Sequence, residues 1–134
     1  MSVENMYCFQ CEQVAGGEAC TRMGVCGKDP EVSGLQDLVI HQMMGIGVLG
    51  ARAMERGVEI PEDISSLVEE ATFETLTNVD FDPDRFHRLL EEGDAAKERL
   101  LEMVGDRQKV GFLKGLSENL ETDGKVVRRE TARN

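Results

Sequence analysis

An all-α fold, a small up-and-down bundle of three to four helices behind an irregular N-terminal cysteine loop, is predicted by three features of the sequence. Apolar residues recur every three or four positions through several long segments, the period of an amphipathic helix. Two Asp-Pro pairs, Asp29-Pro30 and Asp82-Pro83, stand where such segments begin, each offering a capping carboxylate followed by the residue best suited to a first helical turn. The core must also be aliphatic: hydrophobic residues make up 40% of the 134, aromatic ones only 4%, and tryptophan is absent. Leu, Val, Ile and Met in that proportion suit packed helices, and the length suits one domain with a modest core.

The elements follow in order. Residues 1–28 read as a short leader and the cysteine loop, residues 29–120 as the helical bundle and residues 121–134 as a polar tail, all within one domain. The first helix is expected over 30–56, capped by Asp29, with Val32, Leu35, Val39, Met43, Ile46, Leu49 and Ala53 on its buried face. Gly34, Gly45, Gly47 and Gly50 are odd in a helix interior, where each costs about 0.5–1 kcal/mol relative to alanine. Either a close neighbour or a break near Gly45 to Gly50 would account for them.

Gly57 and the extended Val58-Glu59-Ile60 end that helix; Pro61-Glu62-Asp63 starts a second, running to about Thr77, with Ile64, Leu67, Val68, Ala71 and Leu76 inward and Asn78 as terminator. A third begins at Asp82-Pro83, with Phe81 placed to pack on Phe86 as a hydrophobic staple. Phe86, Leu89, Leu90, Leu100, Leu101 and Val104 form its buried stripe, Glu91, Glu92, Lys97, Glu98 and Arg99 its solvated face, and Gly105 its end. A shorter fourth helix is expected over 106–120, with Val110, Leu113, Leu116 and Leu120 aligned.

The formal charge of -11 and a pI near 4.6 exclude nucleic acid and anionic membrane surfaces as natural partners. No apolar run approaches the roughly 20 residues of a membrane span, and Met1-Ser2-Val3-Glu4-Asn5 has neither the basic start nor the apolar run of a secretory leader. A soluble, cytoplasmic protein is the expectation.

All four cysteines fall within the first 26 residues, at Cys8, Cys11, Cys20 and Cys26, with gaps of two, eight and five residues. A close pair can place two thiolates on one centre from a single turn while two later ones close the cage. The interleaved Gly16, Gly17 and Gly24, with Gly27 after them, let backbone amides approach sulfur. Two disulfides would suit a secreted chain, and a structural zinc site usually shows two close pairs or histidines. Here the second pair is five apart and both histidines lie far off: His41 and His87 read as surface residues.

Cys8-Phe9-Gln10-Cys11-Glu12-Gln13, Gly17, Cys20-Thr21, Gly24-Val25-Cys26-Gly27-Lys28, Pro30-Glu31-Val32 and Leu35-Gln36-Asp37-Leu38 resemble the N-terminus of the hybrid cluster protein family, also called prismane or hydroxylamine reductase. The resemblance continues in Phe73-Glu74-Thr75-Leu76-Thr77-Asn78-Val79-Asp80-Phe81-Asp82 and Arg85-Phe86, covering residues 6–103. It implies a cubane [4Fe-4S] cluster on Cys8, Cys11, Cys20 and Cys26; members with wider gaps carry [2Fe-2S] instead, and zinc is the remaining alternative. The family's second, mixed iron-sulfur-oxygen centre needs further cysteines, and the sequence has no fifth. Catalysis by this chain alone is therefore not expected.

Four cysteine ligands leave no open coordination position, so the expected role is one-electron transfer to a separate redox partner, such as a hybrid-cluster catalytic subunit, with the oligomeric state open. The competing reading is a non-redox interaction module in which zinc or a cluster only staples a surface. Tyr7, Phe9, Val14, Met23 and Val25 are candidates to exclude water from the centre. Glu12 would make reduction harder and Lys28 easier. Met43, Met44 and Met54 are candidates for a docking face.

Overall fold

The structure, a computed structural model, describes residues 5–105: an irregular segment followed by three helices, α1 (Pro30–Glu55), α2 (Glu62–Leu76) and α3 (Pro83–Val104), with α2 running opposite to α1 and α3. The proposed fourth helix and the polar tail lie outside the described residues.

Each helix starts and stops for a local reason. The Asp29 carboxylate accepts the Val32 amide at 2.8 Å, with Pro30 in the first turn of α1. Asp82 accepts the Asp84 amide at 3.0 Å ahead of Pro83 in α3. Gly105 ends α3 in the left-handed conformation, φ 73°, and Gly57 turns the chain out of α1 with the same φ. The guanidinium of Arg56 donates to the Val104 carbonyl, so the C-terminal ends of α1 and α3 lie side by side.

α1 runs unbroken through all four of its glycines. A Cβ at Gly45 or Gly50 would meet only Lys97 Cδ or Ile60 Cδ1 at an ordinary 3.8 Å, and nothing in the structure explains Gly47. A much closer approach than at Gly45, Gly47 or Gly50 lies on α3. Gly93 faces the Gln42 carboxamide of α1 so tightly that a Cβ there would sit 2.0 Å from Oε1. Gln42 Nε2 donates to the Leu90 carbonyl at 2.8 Å and to Asp94 Oδ1 at 2.9 Å, and Asp94 in turn pairs with Lys97 at 3.2 Å. A polar seam thus runs through the α1/α3 interface, the most extensive in the bundle.

Around it the core is aliphatic, with one aromatic: Val32, Leu35, Val39, Met43, Ile46 and Leu49 of α1 meet Phe86, Leu89, Leu90, Leu100 and Leu101 of α3, and Ile64, Leu67 and Ala71 of α2 close the third side. Phe81 packs against this cluster just before α3, as the staple requires. Arg85 of α3 binds Glu70 and Glu74 of α2, and Arg99 binds Asp63.

Two expectations fail. Lys97 is buried rather than solvated, its stem covering core surface while its ammonium reaches Asp94. On α2 the inward position is Thr75, whose hydroxyl donates back to the Ala71 carbonyl at 2.9 Å, and Leu76 points out, 62% exposed. The inward row of α2 is Ile64, Leu67, Ala71, Thr75; Leu76 is one residue, about 100° of helix, beyond it.

Candidate metal centre

The cysteine loop is held in shape by its own backbone before any sulfur is considered. Cys8 and Cys20 form an isolated antiparallel bridge, exchanging amide-to-carbonyl bonds of 3.0 and 2.8 Å, and the Met6 amide extends it to the Thr21 carbonyl at 2.9 Å. Between the paired strands of chain a single 3-10 turn at Ala15–Gly17 reverses direction, with Gly16 and Gly17 both at positive φ. A second closed turn follows: the Gly24 amide reaches the Lys28 carbonyl at 2.7 Å and the Gly27 amide reaches the Gly24 carbonyl at 2.9 Å. Gly24 is required there, since a Cβ would stand 3.0 Å from Cys26 Sγ and 3.1 Å from Lys28 Cβ.

These two turns and the C-terminal end of α2 enclose one cavity, and all four cysteines line it together with Gln10, Val14, Val25, Lys28, Leu76 and Asn78. The cysteines are free thiols, so the disulfide alternative has no support. Cys20 is buried, Cys8 half-buried, and Cys11 and Cys26 open to the surface. Three of the sulfurs already face a donor: the Ala15 amide lies 3.4 Å from Cys20 Sγ, the Lys28 ammonium 3.7 Å from Cys8 Sγ and the Asn78 side-chain amide 3.2 Å from Cys26 Sγ. At Cys26 partial burial pushes the thiol up, but the Lys28 backbone amide, the Asn78 side chain and the Lys28 charge together bring it below its ordinary value.

Among the described residues no three His, Cys, Asp or Glu side chains converge closely enough to hold a single metal ion. The four cysteines share a cavity without collapsing to one point. His41 and His87 are both exposed, on α1 and α3, and neither lines the cavity.

The surroundings correct the sequence reading in one place. Phe9, Met23 and Val25, expected to shield the centre, are themselves 66%, 56% and 61% exposed. Only Tyr7 and Val14 are partly covered, Tyr7 packing edge-on against the Phe9 ring at 5.8 Å. Lys28, expected to ease reduction by its charge, is among the most deeply buried side chains of the described residues, 2% exposed. Sequence reasoning missed Asn78 and Gln10 as parts of the site. Asn78 adopts φ 56°, a left-handed conformation asparagine tolerates better than other non-glycine residues, and this turn carries its side chain to Cys26. Gln10 donates to the Thr75 carbonyl, fixing the first cysteine turn to the end of α2. The residue type alone gave a signal only for Asn78, as a helix terminator.

Comparison with known proteins is in keeping with this arrangement. A family model described as the Prismane/CO dehydrogenase family matches residues 6–131. Proteins named hydroxylamine reductase are similar throughout: that of Maridesulfovibrio salexigens is 37% identical over 122 residues, covering 90% of this chain and 23% of the relative. That of Moorella thermoacetica is 44% identical over 99 residues, 74% of this chain and 23% of the relative. That of Syntrophobacter fumaroxidans is 47% identical over 85 residues, 63% of this chain and 16% of the relative. The chain thus spans less than a quarter of the length of the curated relatives it matches.

Proposed function

Because this chain belongs to the Prismane/CO dehydrogenase family, we propose that Cys8, Cys11, Cys20 and Cys26 hold a [4Fe-4S] cluster and that its role is to pass single electrons to a catalytic partner. The observation that carries this reading is the convergence of all four cysteines on one cavity, three of their sulfurs already facing a donor. When bound, such a cluster supplies reversible one-electron chemistry.

The residues around it have separable tasks. The Ala15 amide and the Asn78 side chain would donate to ligand sulfur and favour the reduced, more negative state. Gly24 and Gly27 let the backbone fold closely around Cys26. The exposed edge at Cys11 and Cys26 gives electrons a short route out.

Val25 and Leu76, both exposed large apolar side chains, line that cavity, and Phe9, Met23, Phe73 and Val79, close in sequence to lining residues, are exposed as well. Such a rim is suited to docking another protein surface. Every cysteine of the sequence is committed to one cluster, so reduction of hydroxylamine, the activity in the relatives' names, is assigned to a centre built by other polypeptide. A reducing, cytoplasmic setting agrees with four free thiols, and no described helix is long and apolar enough to cross a membrane.

The test is to purify the chain without oxygen and measure iron, sulfide and zinc with absorbance before and after dithionite. About four irons and four sulfides per chain, with a broad visible absorption bleached reversibly, are expected. Stoichiometric zinc without visible absorption would replace this reading with a structural module.

A further inference from the structure

Lys28 is a lysine in a place where lysines are rare. Its side chain is 2% exposed, and its ammonium has two neighbours, Cys8 Sγ at 3.7 Å and Gln10 Oε1 at 3.3 Å. No carboxylate pairs with it among the described residues. Lys97, the other buried lysine among the described residues, has Asp94 at 3.2 Å. Withdrawing an ammonium from water without a counter-ion is costly, and folded proteins tolerate it where something of opposite charge repays the cost. Here the groups able to do so are the thiolates of the cavity it lines.

We propose that Lys28 is a positioning residue and the internal counter-charge of this metal centre: its ammonium balances the ligand thiolates, and its contacts hold the Cys8–Cys11 turn against the Gly24–Lys28 turn. The inference rests on the cluster reading above. Its geometry is bipartite. The backbone of Lys28 closes the turn that carries Cys26, its carbonyl accepting from the Gly24 amide, while the side chain crosses to Cys8 and to Gln10. Gln10 passes the constraint onward to the Thr75 carbonyl at the end of α2. One residue therefore couples both cysteine turns and sets the charge between them. Adding an electron makes the centre one unit more negative, and a fixed positive charge in contact with a ligand sulfur favours that state.

A counter-charge differs from a packing residue in sign. In the metal-free chain the unbalanced ammonium is a liability, so replacing it with an uncharged side chain of similar length should not lower stability. In the loaded chain the same replacement removes a favourable partner. The experiment compares wild type, Lys28→Met and Lys28→Arg as full chains, each prepared with iron and without. The readouts are the midpoint potential by absorbance titration, the rate of iron loss to a chelator, and the thermal midpoint of the metal-free form.

Lys28→Met is expected to shift the potential to more negative values and to speed iron loss about tenfold, the scale of one charge-assisted hydrogen bond, while the metal-free chain unfolds no lower than wild type. Lys28→Arg is expected to hold the potential close to that of wild type. An unchanged potential and iron loss in Lys28→Met would overturn the inference, as would a fall in metal-free stability, which marks a packing role. If wild type itself binds no iron, the cluster reading fails and this one with it; if it does and Lys28→Met behaves identically, only this one fails.

Discussion

Replacing Gly93 by alanine tests the closest contact of the bundle. A Cβ built there would stand 2.0 Å from Gln42 Oε1, 2.4 Å from Cδ and 3.0 Å from Nε2, so the Gln42 carboxamide must leave its seat. It then loses its bonds to the Leu90 carbonyl and to Asp94. At about 1 kcal/mol net for each hydrogen bond, and about 1 kcal/mol of strain in a packed interface, the loss is about 3 kcal/mol. Alanine returns about 1 kcal/mol through helix propensity. The net is about 2 kcal/mol, a fall in thermal midpoint of about 8 °C for a chain of this size. The sign should reverse in a Gln42→Ala background: with the carboxamide gone, Gly93→Ala meets no obstacle and should stabilise by about 0.5–1 kcal/mol. Urea or thermal unfolding of the four proteins closes the cycle. If Gly93→Ala stabilises the wild-type chain, or costs the same in both backgrounds, the fit of Gln42 on Gly93 is not what holds α1 against α3.

Other perturbations separate core, rim and site. Phe86 is fully buried and Phe73 is 61% exposed; truncation to alanine should cost about 3–5 kcal/mol at the first and no more than about 0.5 kcal/mol at the second, measured by denaturant titration. In metal-free protein Asn78→Ala should slow alkylation of Cys26 at pH values under the ordinary thiol value of 9.0, because it removes a donor that lowers this thiol; mass spectrometry of timed samples reads the change, and an unaltered rate would refute the contact. Asp63 is held below its ordinary value of 3.8 first by the hydrogen bond from Arg99. Its folded pKa being depressed, the pair contributes at pH above the unfolded value and fades as pH falls through the folded one. Asp63→Asn should therefore flatten the acid limb of the stability profile slightly, with its small loss of stability at neutral pH and none below the folded value, as read by denaturant titration across pH.

Much of this was legible because the signals are local. Asp29-Pro30, Asp82-Pro83 and Gly105 act within one turn, and the stripes of α1 and α3 repeat long enough to fix the buried face. The four cysteines announced themselves by clustering, and the structure brings them to one cavity. What stayed hidden depends on neighbours distant in sequence. Lys28 and Lys97 carry the residue type of a solvated face, and only the packed fold shows where their stems run. Thr75 displaces Leu76 from the interior because the inward row of α2 is set by its three earlier members, while a hydroxyl can satisfy itself on the Ala71 carbonyl. Gly93 reads as a flaw in a helix until Gln42 is placed against it.

The Asn78 to Cys26 contact also fixes an order of events. The four cysteines span 19 positions, but the donor to the last of them lies 52 residues farther along the chain, and Gln10 finds its Thr75 partner 65 residues on. A ribosome adding about 5–20 residues per second takes roughly 3–10 s to cover the 52. During that interval the emerging chain offers all four thiols without Asn78 and without the end of α2 that closes the cavity. On the proposed cluster reading, metal delivered during synthesis would meet an open ring of sulfur, and metal delivered after release a ring already braced on one side. The two routes should leave different proportions of correctly filled protein when iron supply is short.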